Sequence, residues 1–271
     1  MMWAALAGLG VLVGAYGTLV GAGGGFLLTP ALLLLYPDES AATITSISLA
    51  VVFFNALSGS VAYARLRRID YRTGWRFGLA TIPGAVLGAV LVRYIPRGLF
   101  DPLFGALLIA LSIYILAKPG QAHPELGAKP LPGYVSRSIT DAGGETYTYS
   151  YDSRLGLLFS SAVGWLSSLL GIGGGIIHVP VLVTILGFPP RVATATSQLV
   201  LAVMALAGTL VHVASGEFAT GHRRTAALAV GVVIGAQVGA RLAVRVRGKL
   251  ILRLLALALA GVGARLLWSG L

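Results

Sequence analysis

The sequence predicts an all-α polytopic membrane protein built from two inverted-topology repeats of about five membrane segments each. Hydrophobic residues make up 56% of the 271 residues and charged residues only 11%, which leaves too little polar surface to cover a soluble globule. Several apolar runs approach the length of a helix that crosses the hydrocarbon core. A glycine-rich motif interrupts an apolar run twice, and this duplication predicts the two repeats.

Six near-continuous apolar runs are expected to form full membrane spans. A helix satisfies all of its backbone groups internally, as lipid requires. The alternating segments of about ten residues that are typical of a transmembrane barrel are absent from the sequence. The six runs cover residues 41–64, 77–92, 103–117, 192–214, 225–240 and 254–264.

The glycine motifs "GAGGGFLLTP" (21–30) and "GIGGGIIHVP" (171–180) each separate a longer apolar segment from a short one. The short segments have about 11 residues, too few to cross the membrane at a rise of about 1.5 Å per residue. We therefore expect a broken or re-entrant helix in each half, with the two short helices meeting at the midplane. The longer segments are 3–20 and 155–170, and the short ones are 26–36 and 176–187.

Two further motif pairs, "TITS" with "TATS" and "GAVLGA" with "GAQVGA", recur at nearly the same offset. They predict a first repeat at residues 1–117 and a second at 154–271, joined by a polar connecting loop at 118–153. That loop is expected to be a linker, and its segment "ETYTYSY" has the alternation of a small hairpin. Residues 1–20 are expected to be mature structure, because they lack an initial Lys or Arg and have an internal counterpart.

The distribution of Lys and Arg decides between two topologies. If the glycine motif separates two membrane segments, each half has five and the second half is inverted. If it only kinks one span, each half has four crossings and the halves are parallel. The inverted arrangement places more of the 20 basic residues on one side, and cytoplasmic loops carry this excess. We therefore favour inverted halves, both termini outside and a cytoplasmic central loop.

The glycine motifs are the first candidate binding elements. Glycine permits positive φ and close backbone approach, and a helix that restarts in the membrane offers free N–H groups and the positive end of its dipole to an anion. Secondary transporters use such paired broken helices to build a midplane site. The alternative is a small-residue surface for close helix packing. The candidates are Gly23, Gly24, Gly25, Gly173, Gly174 and Gly175.

Hydroxyl side chains stand at the start of the third segment of each half, and they are the second candidate element. Neutral donors from two related helices can bind an oxyanion without the cost of burying a cation. The alternative is that such hydroxyls bond back to their own helix, which explains Thr43 and Ser48 well. The candidate ligands are Thr45, Ser46, Thr196, Ser197 and Gln198.

The acidic residues all lie in loops or at the ends of segments, so no carboxylate is available at the midplane to bind a cation. His178 follows the second glycine motif and is a further candidate, with a packing role as the alternative. The chain has no cysteine, which excludes thiolate metal sites and disulfides. No metal, cofactor or nucleic-acid partner is expected, and a homo-oligomer is compatible with the sequence.

Together, "GAGGGFLLTPALLLL", "GIGGGIIHVPVLVTILGFPPRVATATS", the "GAxxGA" pairs and "DAGGETYTYSYDSRLGL" resemble the sulfite exporter TauE/SafE family of transmembrane anion permeases. The resemblance covers essentially the whole chain. It departs at "YPDESAATITS", where the family usually has a proline pair such as Pro189 and Pro190. It implies transport across the cytoplasmic membrane of sulfite or organosulfonates such as sulfoacetate, most commonly export. It places the family's glycine motifs on 21–25 and 171–175, and its "TS" positions on Thr45, Ser46, Thr196 and Ser197.

The expected mechanism is alternating access, in which the halves rock about a site made from both glycine breaks. The membrane potential or a coupled proton would drive the anion. An anion channel shares these site features. An intramembrane hydrolase would need a nucleophile and a base, for which Ser58 or Ser60 with His178 or His212 supplies the residue types. The expected partners are the lipid bilayer and a small sulfur-containing oxyanion.

Overall fold

A computed structural model describes residues 2–117, 133–219, 221–245 and 248–269, which form ten α-helices and one two-stranded hairpin. The helices of the first half are α1 (Met2–Val20), α2 (Gly25–Leu35), α3 (Ala41–Arg65), α4 (Tyr71–Leu91) and α5 (Arg97–Ala117). The strands are β1 (Tyr134–Thr140) and β2 (Thr146–Asp152). The remaining helices are α6 (Ser153–Leu170), α7 (Gly175–Pro180), α8 (Pro190–Ala214), α9 (His222–Arg245) and α10 (Gly248–Ser269).

Six of the described helices are long and apolar enough to cross a membrane, and the chain is a multi-pass membrane protein. Short apolar helices follow both glycine motifs, at Gly25–Leu35 and Gly175–Ile185. The six long segments are Met2–Val20, Ala41–Arg65, Tyr71–Tyr94, Arg97–Tyr114, Pro190–Ala214 and His222–Arg245.

Several helices begin before the apolar run that predicted them. Helix α4 begins at Tyr71, six residues before its run, because the Asp70 carboxylate accepts a hydrogen bond of 3.1 Å from the Thr73 amide and caps the helix. Its first turns carry Arg72 and Arg76, whose charged ends can reach the membrane surface. The apolar runs thus predict the existence of these helices but not where they begin.

The short segment of the second half is less regular than expected. Helix α7 ends at Pro180 and continues as a π-helix over Val181–Ile185. The Thr184 hydroxyl donates to the Pro180 carbonyl at 2.8 Å, and the Leu186 amide bonds to the Val181 carbonyl, five residues back. A wider turn after the proline therefore replaces the uniform α-helix that the sequence predicted.

The paired "GAxxGA" motifs bring helices of the two halves into backbone contact. A side-chain carbon added to Gly88 of α4 would stand 2.8 Å from the Leu169 amide nitrogen of α6. One added to Gly235 of α9 would stand 2.8 Å from the Ala15 amide nitrogen of α1. Small residues therefore form both helix interfaces, as they do in other membrane proteins.

The corresponding helices α3 and α8 run antiparallel to each other through the centre. Gly59, near the end of α3, faces Gln198, near the start of α8, whereas Gly208, near the end of α8, faces Leu49 in the first half of α3. Both helices are extensively buried.

The strands β1 and β2 pair in antiparallel register from Tyr134–Asp152 to Thr140–Thr146, which confirms the expected hairpin. The hairpin packs on one end of the helix bundle, here called the hairpin end. At this end the Ala142 amide donates to the Leu66 carbonyl at 2.9 Å, and Arg191 of α8 pairs with Glu145 at 2.7 Å. The earlier part of the connecting loop, 118–132, lies outside the described residues.

The opposite end is closed by contacts between the first half and the start of α9. Arg224 of α9 pairs with Glu39 at 2.7 Å and lies 3.9 Å from the centre of the Tyr36 ring. Arg97 of α5 donates to backbone carbonyls in the last turn of α2 and in the connection to α3, those of Leu33, Tyr36, Pro37 and Glu39.

Candidate functional site

The two glycine segments, 21–25 and 171–175, contact each other backbone to backbone, at a place we call the glycine crossing. A side-chain carbon on Gly25 would stand 2.7 Å from the Ile172 carbonyl carbon, and one on Gly175 would stand 2.7 Å from the Ala22 Cα. Most of these glycines have positive φ, for example 75° at both Gly23 and Gly173. No other residue type fits this contact without strain, so the glycines bring main chain of the two halves together.

Each glycine segment also lies on the hydroxyl-bearing helix of the other half. A side-chain carbon on Gly21 would stand 2.8 Å from the Thr194 Cα of α8, and one on Gly171 would stand 3.0 Å from the Thr45 Cα of α3. Ser48 donates to the Gly171 carbonyl at 2.6 Å, and Thr29 donates to it at 2.8 Å. The glycine and hydroxyl motifs of opposite halves are therefore neighbours.

Six of the 13 buried polar side-chain atoms that lack a hydrogen-bond partner in the described residues belong to the glycine segments' neighbouring helices. The Thr45 Oγ1 lies 3.2 Å from where a side-chain carbon of Gly171 would stand, and the Ser167 Oγ is at the same distance from one on Gly174. Buried polar groups are nearly always hydrogen-bonded in native proteins, so these six atoms indicate a place for a polar ligand or for water. The six are Thr45 Oγ1, Asn55 Nδ2, Ser167 Oγ, Ser168 Oγ, Ser197 Oγ and Gln198 Oε1, and the other seven belong to Ser60, Asp101, Ser153, His178, Thr209 and His212.

Both short helices start at the crossing. The Gly24 carbonyl accepts from the amides of Leu27 and Leu28, and the Gly174 carbonyl accepts from the amides of Ile177 and His178. The first amides of each helix have no acceptor within that helix, and they carry the positive end of its dipole. The crossing thus combines amide and hydroxyl donors with no carboxylate in the described glycine segments, a chemistry that suits an anion.

The structure places all of the predicted site residues in the buried interior, but it divides them by what their side chains do. The hydroxyls of Thr45 and Ser197 have no partner. Ser46 donates back to the Thr43 carbonyl at 2.7 Å, and the Thr196 hydroxyl accepts from the Asp70 amide at 3.0 Å. Two hydroxyls are thus without a partner, and two are engaged, that of Ser46 within its own helix and that of Thr196 with the start of α4.

Gln198 and His178 lie on different sides of the crossing. Gln198 is next to the first segment, with its Nε2 3.5 Å from the Gly17 carbonyl and its Oε1 without a partner. His178 points towards α6 and α4. Its Nε2 lies 3.3 Å from the Ser160 hydroxyl of α6, and its ring packs edge-on against the Phe77 ring of α4 with the ring centroids 6.1 Å apart. His178 therefore packs against α6 and α4 near the hairpin.

Asp70 joins the crossing to the hairpin, and the sequence did not indicate this role. Its backbone amide donates to the Thr196 hydroxyl. Its fully buried carboxylate accepts hydrogen bonds from Arg137 of β1 at 2.7 and 2.9 Å and from Tyr149 of β2 at 2.8 Å. Burial raises the pKa of this carboxyl, but the hydrogen bonds from Arg137, Thr73 and Tyr149 lower it more, so the pKa lies below its usual 3.8. Asp70 is therefore a fixed anion that holds the hairpin.

A second buried ion pair and a cluster of aromatic rings complete the contact. Arg68 donates two hydrogen bonds, of 2.9 and 3.0 Å, to the Asp141 carboxylate in the hairpin turn. The rings of Tyr149 and Tyr151 lie 4.4 and 4.9 Å from that of Phe188, which precedes α8. The hairpin thus closes one end of the bundle with paired charges and packed rings.

The sequence offered only partial signals for these additional residues. Asp70 stands three positions before Thr73, which is a helix N-cap pattern. Its partner Arg137 is far away in sequence and was not predictable from spacing. Asn55 was recognisable as a polar residue inside an apolar run, and the structure places its Oδ1 3.1 Å from the Thr18 hydroxyl beside the first glycine segment.

The residues proposed for a hydrolase have other contacts. Ser58 donates to the Val233 carbonyl at 2.8 Å and accepts from Gln237 at 2.9 Å. Among the described residues, no hydrogen bond joins Ser58 or Ser60 to His178 or His212. Nor does the described part of the chain hold a group of three or more His, Cys, Asp and Glu side chains placed to bind a metal.

Comparison with known proteins supplies a family match and several relatives. The family described as "Sulfite exporter TauE/SafE" matches residues 6–266. The probable membrane transporter protein YunE of Bacillus subtilis is 31% identical over 277 residues, covering 100% of this chain and 99% of that protein. The probable membrane transporter protein YfcA of Escherichia coli K12 is 25% identical over 256 residues, covering 92% and 84% respectively. No solved structure matches the chain significantly.

Proposed function

The chain belongs to the sulfite exporter TauE/SafE family and is a membrane transporter, and we propose that its cargo is a small sulfur-containing oxyanion. Sulfite is the cargo that the family description names, and we extend the proposal to organosulfonates such as sulfoacetate, which the sequence resemblance implies. The proposed direction is export, and the proposed location is the cytoplasmic membrane.

One observation carries this proposal: buried hydroxyls without a hydrogen-bond partner, those of Thr45 and Ser197, stand on the two helices against which the glycine segments pack. A tetrahedral or pyramidal oxyanion offers several acceptor oxygens, which match these donors. The proposed ligands are the backbone of Gly23–Gly25 and Gly173–Gly175 with the hydroxyls of Thr45 and Ser197. The Nε2 of Gln198 is a further proposed donor, which would exchange its contact of 3.5 Å with the Gly17 carbonyl for the anion. Ser46, Thr196 and His178 support this site from the surrounding helices.

The proposed architecture is a pair of inverted repeats, 1–117 and 154–271, connected by 118–153. The antiparallel course of α3 and α8 supports it, because corresponding helices of parallel halves would run in the same direction. The reciprocal contacts of each glycine segment with the opposite hydroxyl helix also support it. Transporters of this kind place the substrate at the interface of the repeats.

The proposed mechanism is alternating access from a closed state. The candidate site residues are buried, and each end of the bundle has its own charged contacts, Asp70 with Arg137 at one and Glu39 with Arg224 at the other. Opening the hairpin end requires that Asp70 release Arg137. Thr196, bonded to the Asp70 amide, connects that release to the helix that lines the site.

Membrane potential is the simplest driving force for export of an anion, because the described carboxylates lie at helix ends and in the hairpin and none is available at the crossing to carry a proton. A channel would use the same donors but would not couple flux to a conformational cycle. We favour the carrier because the crossing is closed in this conformation.

The test is counterflow in liposomes that contain the purified protein. Vesicles loaded with unlabelled sulfite should transiently accumulate isotope-labelled sulfite above its equilibrium level, and sulfoacetate inside should substitute for sulfite. Linear flux without counterflow would establish a channel. No counterflow with either compound, by protein that remains folded, would refute the proposed cargo.

A further inference from the structure

A basic groove of about 440 Å³ lies between the end of α3 and the last turns of α9. Three arginines line it: Arg65 from α3, and Arg241 and Arg245 from α9. Gln237 at its edge donates to the Ser58 carbonyl and hydroxyl, both at 2.9 Å, and so fixes α9 against α3. The groove is therefore a preformed feature of a helix interface between the two halves.

The three arginines of the groove carry charge that the described protein does not neutralise. All three are exposed, and none of them forms an ion pair with a carboxylate of the described residues. Other arginines at the same end, such as Arg68 and Arg137, are paired with aspartates. Guanidinium groups bind oxyanions with paired hydrogen bonds, so the groove favours an anionic ligand.

The floor and the outer wall of the groove are apolar. Ala62 and Ala240 form buried parts of its lining, and Val244 is 41% exposed. The neighbouring Val61 and Leu242 are also exposed apolar side chains, 46% and 45% respectively. On a membrane helix such side chains face acyl chains, so the groove continues from the arginines onto a lipid-facing surface. A free inorganic anion would leave that apolar part without a role.

The groove also lies at the membrane boundary where anionic lipids are expected. Leu66, part of its lining, accepts a hydrogen bond from Ala142 in the hairpin turn, so the groove borders the hairpin end. The basic residues of 65–76 and 241–245 are at this end, which the positive-inside rule assigns to the cytoplasm. Basic pockets between helices on that side bind the head groups of anionic lipids.

We propose that this groove binds one anionic phospholipid, with its phosphate held by Arg65, Arg241 and Arg245 and the first part of an acyl chain along Ala62, Ala240 and Val244. The lipid bridges α3 and α9, which belong to opposite halves. This inference does not depend on the identity of the transported anion.

The test is native mass spectrometry of delipidated full-length protein titrated with dioleoylphosphatidylglycerol or dioleoylphosphatidylcholine. One phosphatidylglycerol should bind the wild type more tightly than phosphatidylcholine does. The variant R65Q/R241Q/R245Q should lose roughly a hundredfold in affinity, since each basic residue contributes to anionic-lipid attraction. The matched variant R72Q/R76Q/R154Q removes three exposed charges elsewhere and should keep wild-type affinity. The single substitution R241E repeats the test if the triple variant fails to fold.

Three results would overturn the proposal. Equal affinity for the two lipids would show that the groove does not recognise the phosphatidylglycerol charge. An equal loss in the matched variant would show an effect of net charge alone. Displacement of the lipid by millimolar sulfite or inorganic phosphate, with retention of that anion, would assign the groove to a free oxyanion.

Discussion

Neighbouring hydroxyls at the crossing have different bonding, and this difference defines the proposed site. Thr45 and Ser197 have no partner, whereas Ser46 and Thr196 are engaged with Thr43 and Asp70. The sequence predicted both "TS" pairs but not which member of each pair is free. That distinction depends on which helix face meets the glycine segment of the other half, and on how α4 begins.

We expect Thr45→Ala and Ser197→Ala to weaken sulfite transport by about tenfold or more, because each removes a hydrogen-bond donor to a charged ligand. The measurement is the concentration dependence of labelled-sulfite flux in liposomes. Ser46→Ala is the matched comparison and should weaken transport less than either of them, because the Ser46 hydroxyl donates to the Thr43 carbonyl of its own helix. Equal effects of all three substitutions would argue against the free hydroxyls as ligands.

Asp70 was predicted to lie at the end of a segment, but its burial was not predicted, because its partners are on a hairpin distant in sequence. Since its pKa is lowered in the folded protein, its contribution to stability is present above its usual pKa of 3.8 and is lost as the pH falls through the lower, folded value.

Hydrogen-exchange protection of the hairpin amides should therefore be constant from neutral pH down to about pH 4 and decrease only below it. Asp70→Asn should reduce this protection by roughly tenfold or more even at pH 7, since it breaks a buried ion pair. Wild-type protection that declines already between pH 7 and pH 5 would contradict the assignment to Asp70.

Among the elements, the long helices followed from apolar runs. The "GAxxGA" motifs were recognised only as part of the duplication, and their packing role follows from the structure. The hairpin was predicted from alternation, but its docking was not. Two ion pairs and a ring cluster hold it over the end of α3 and the starts of α4 and α8, whereas the sequence favoured a linker. The π-helix after Pro180 was also missed, since proline predicts a disturbance but not its form.

We expect the hairpin to move during transport. Leu66→Cys and Ala142→Cys place a thiol on each side of a backbone hydrogen bond of 2.9 Å, within the usual reach of a disulfide. The chain has no cysteine of its own, so oxidation forms only this bond. We expect flux to be lost on oxidation and restored by reductant, with both single-cysteine variants unaffected. Undiminished flux in the oxidised double variant would exclude movement of the hairpin from the cycle.

At the scale of the whole molecule, the duplication in the sequence predicted a site shared by two halves, and the glycine segments do meet. The sequence did not reveal that each segment lies on the hydroxyl helix of the opposite half. That arrangement arises from three-dimensional packing of α3 against α8, for which a single sequence gives no distance information. The inverted orientation of the halves and the identity of the anion are still proposals.

In the proposed mechanism, transport occurs at the glycine crossing. The most direct test is labelled-sulfite flux at a set membrane potential in liposomes, comparing wild type with Gly23→Ala/Gly173→Ala. Both positions have φ of 75° and face Val52, so methyl groups there strain and fill the crossing. Gly8→Ala, which adds a methyl group in open space, is the control. We expect saturable flux in the wild type and the control, and flux near that of protein-free vesicles in the folded double variant. Wild-type flux in the double variant would show that transport does not use the glycine crossing.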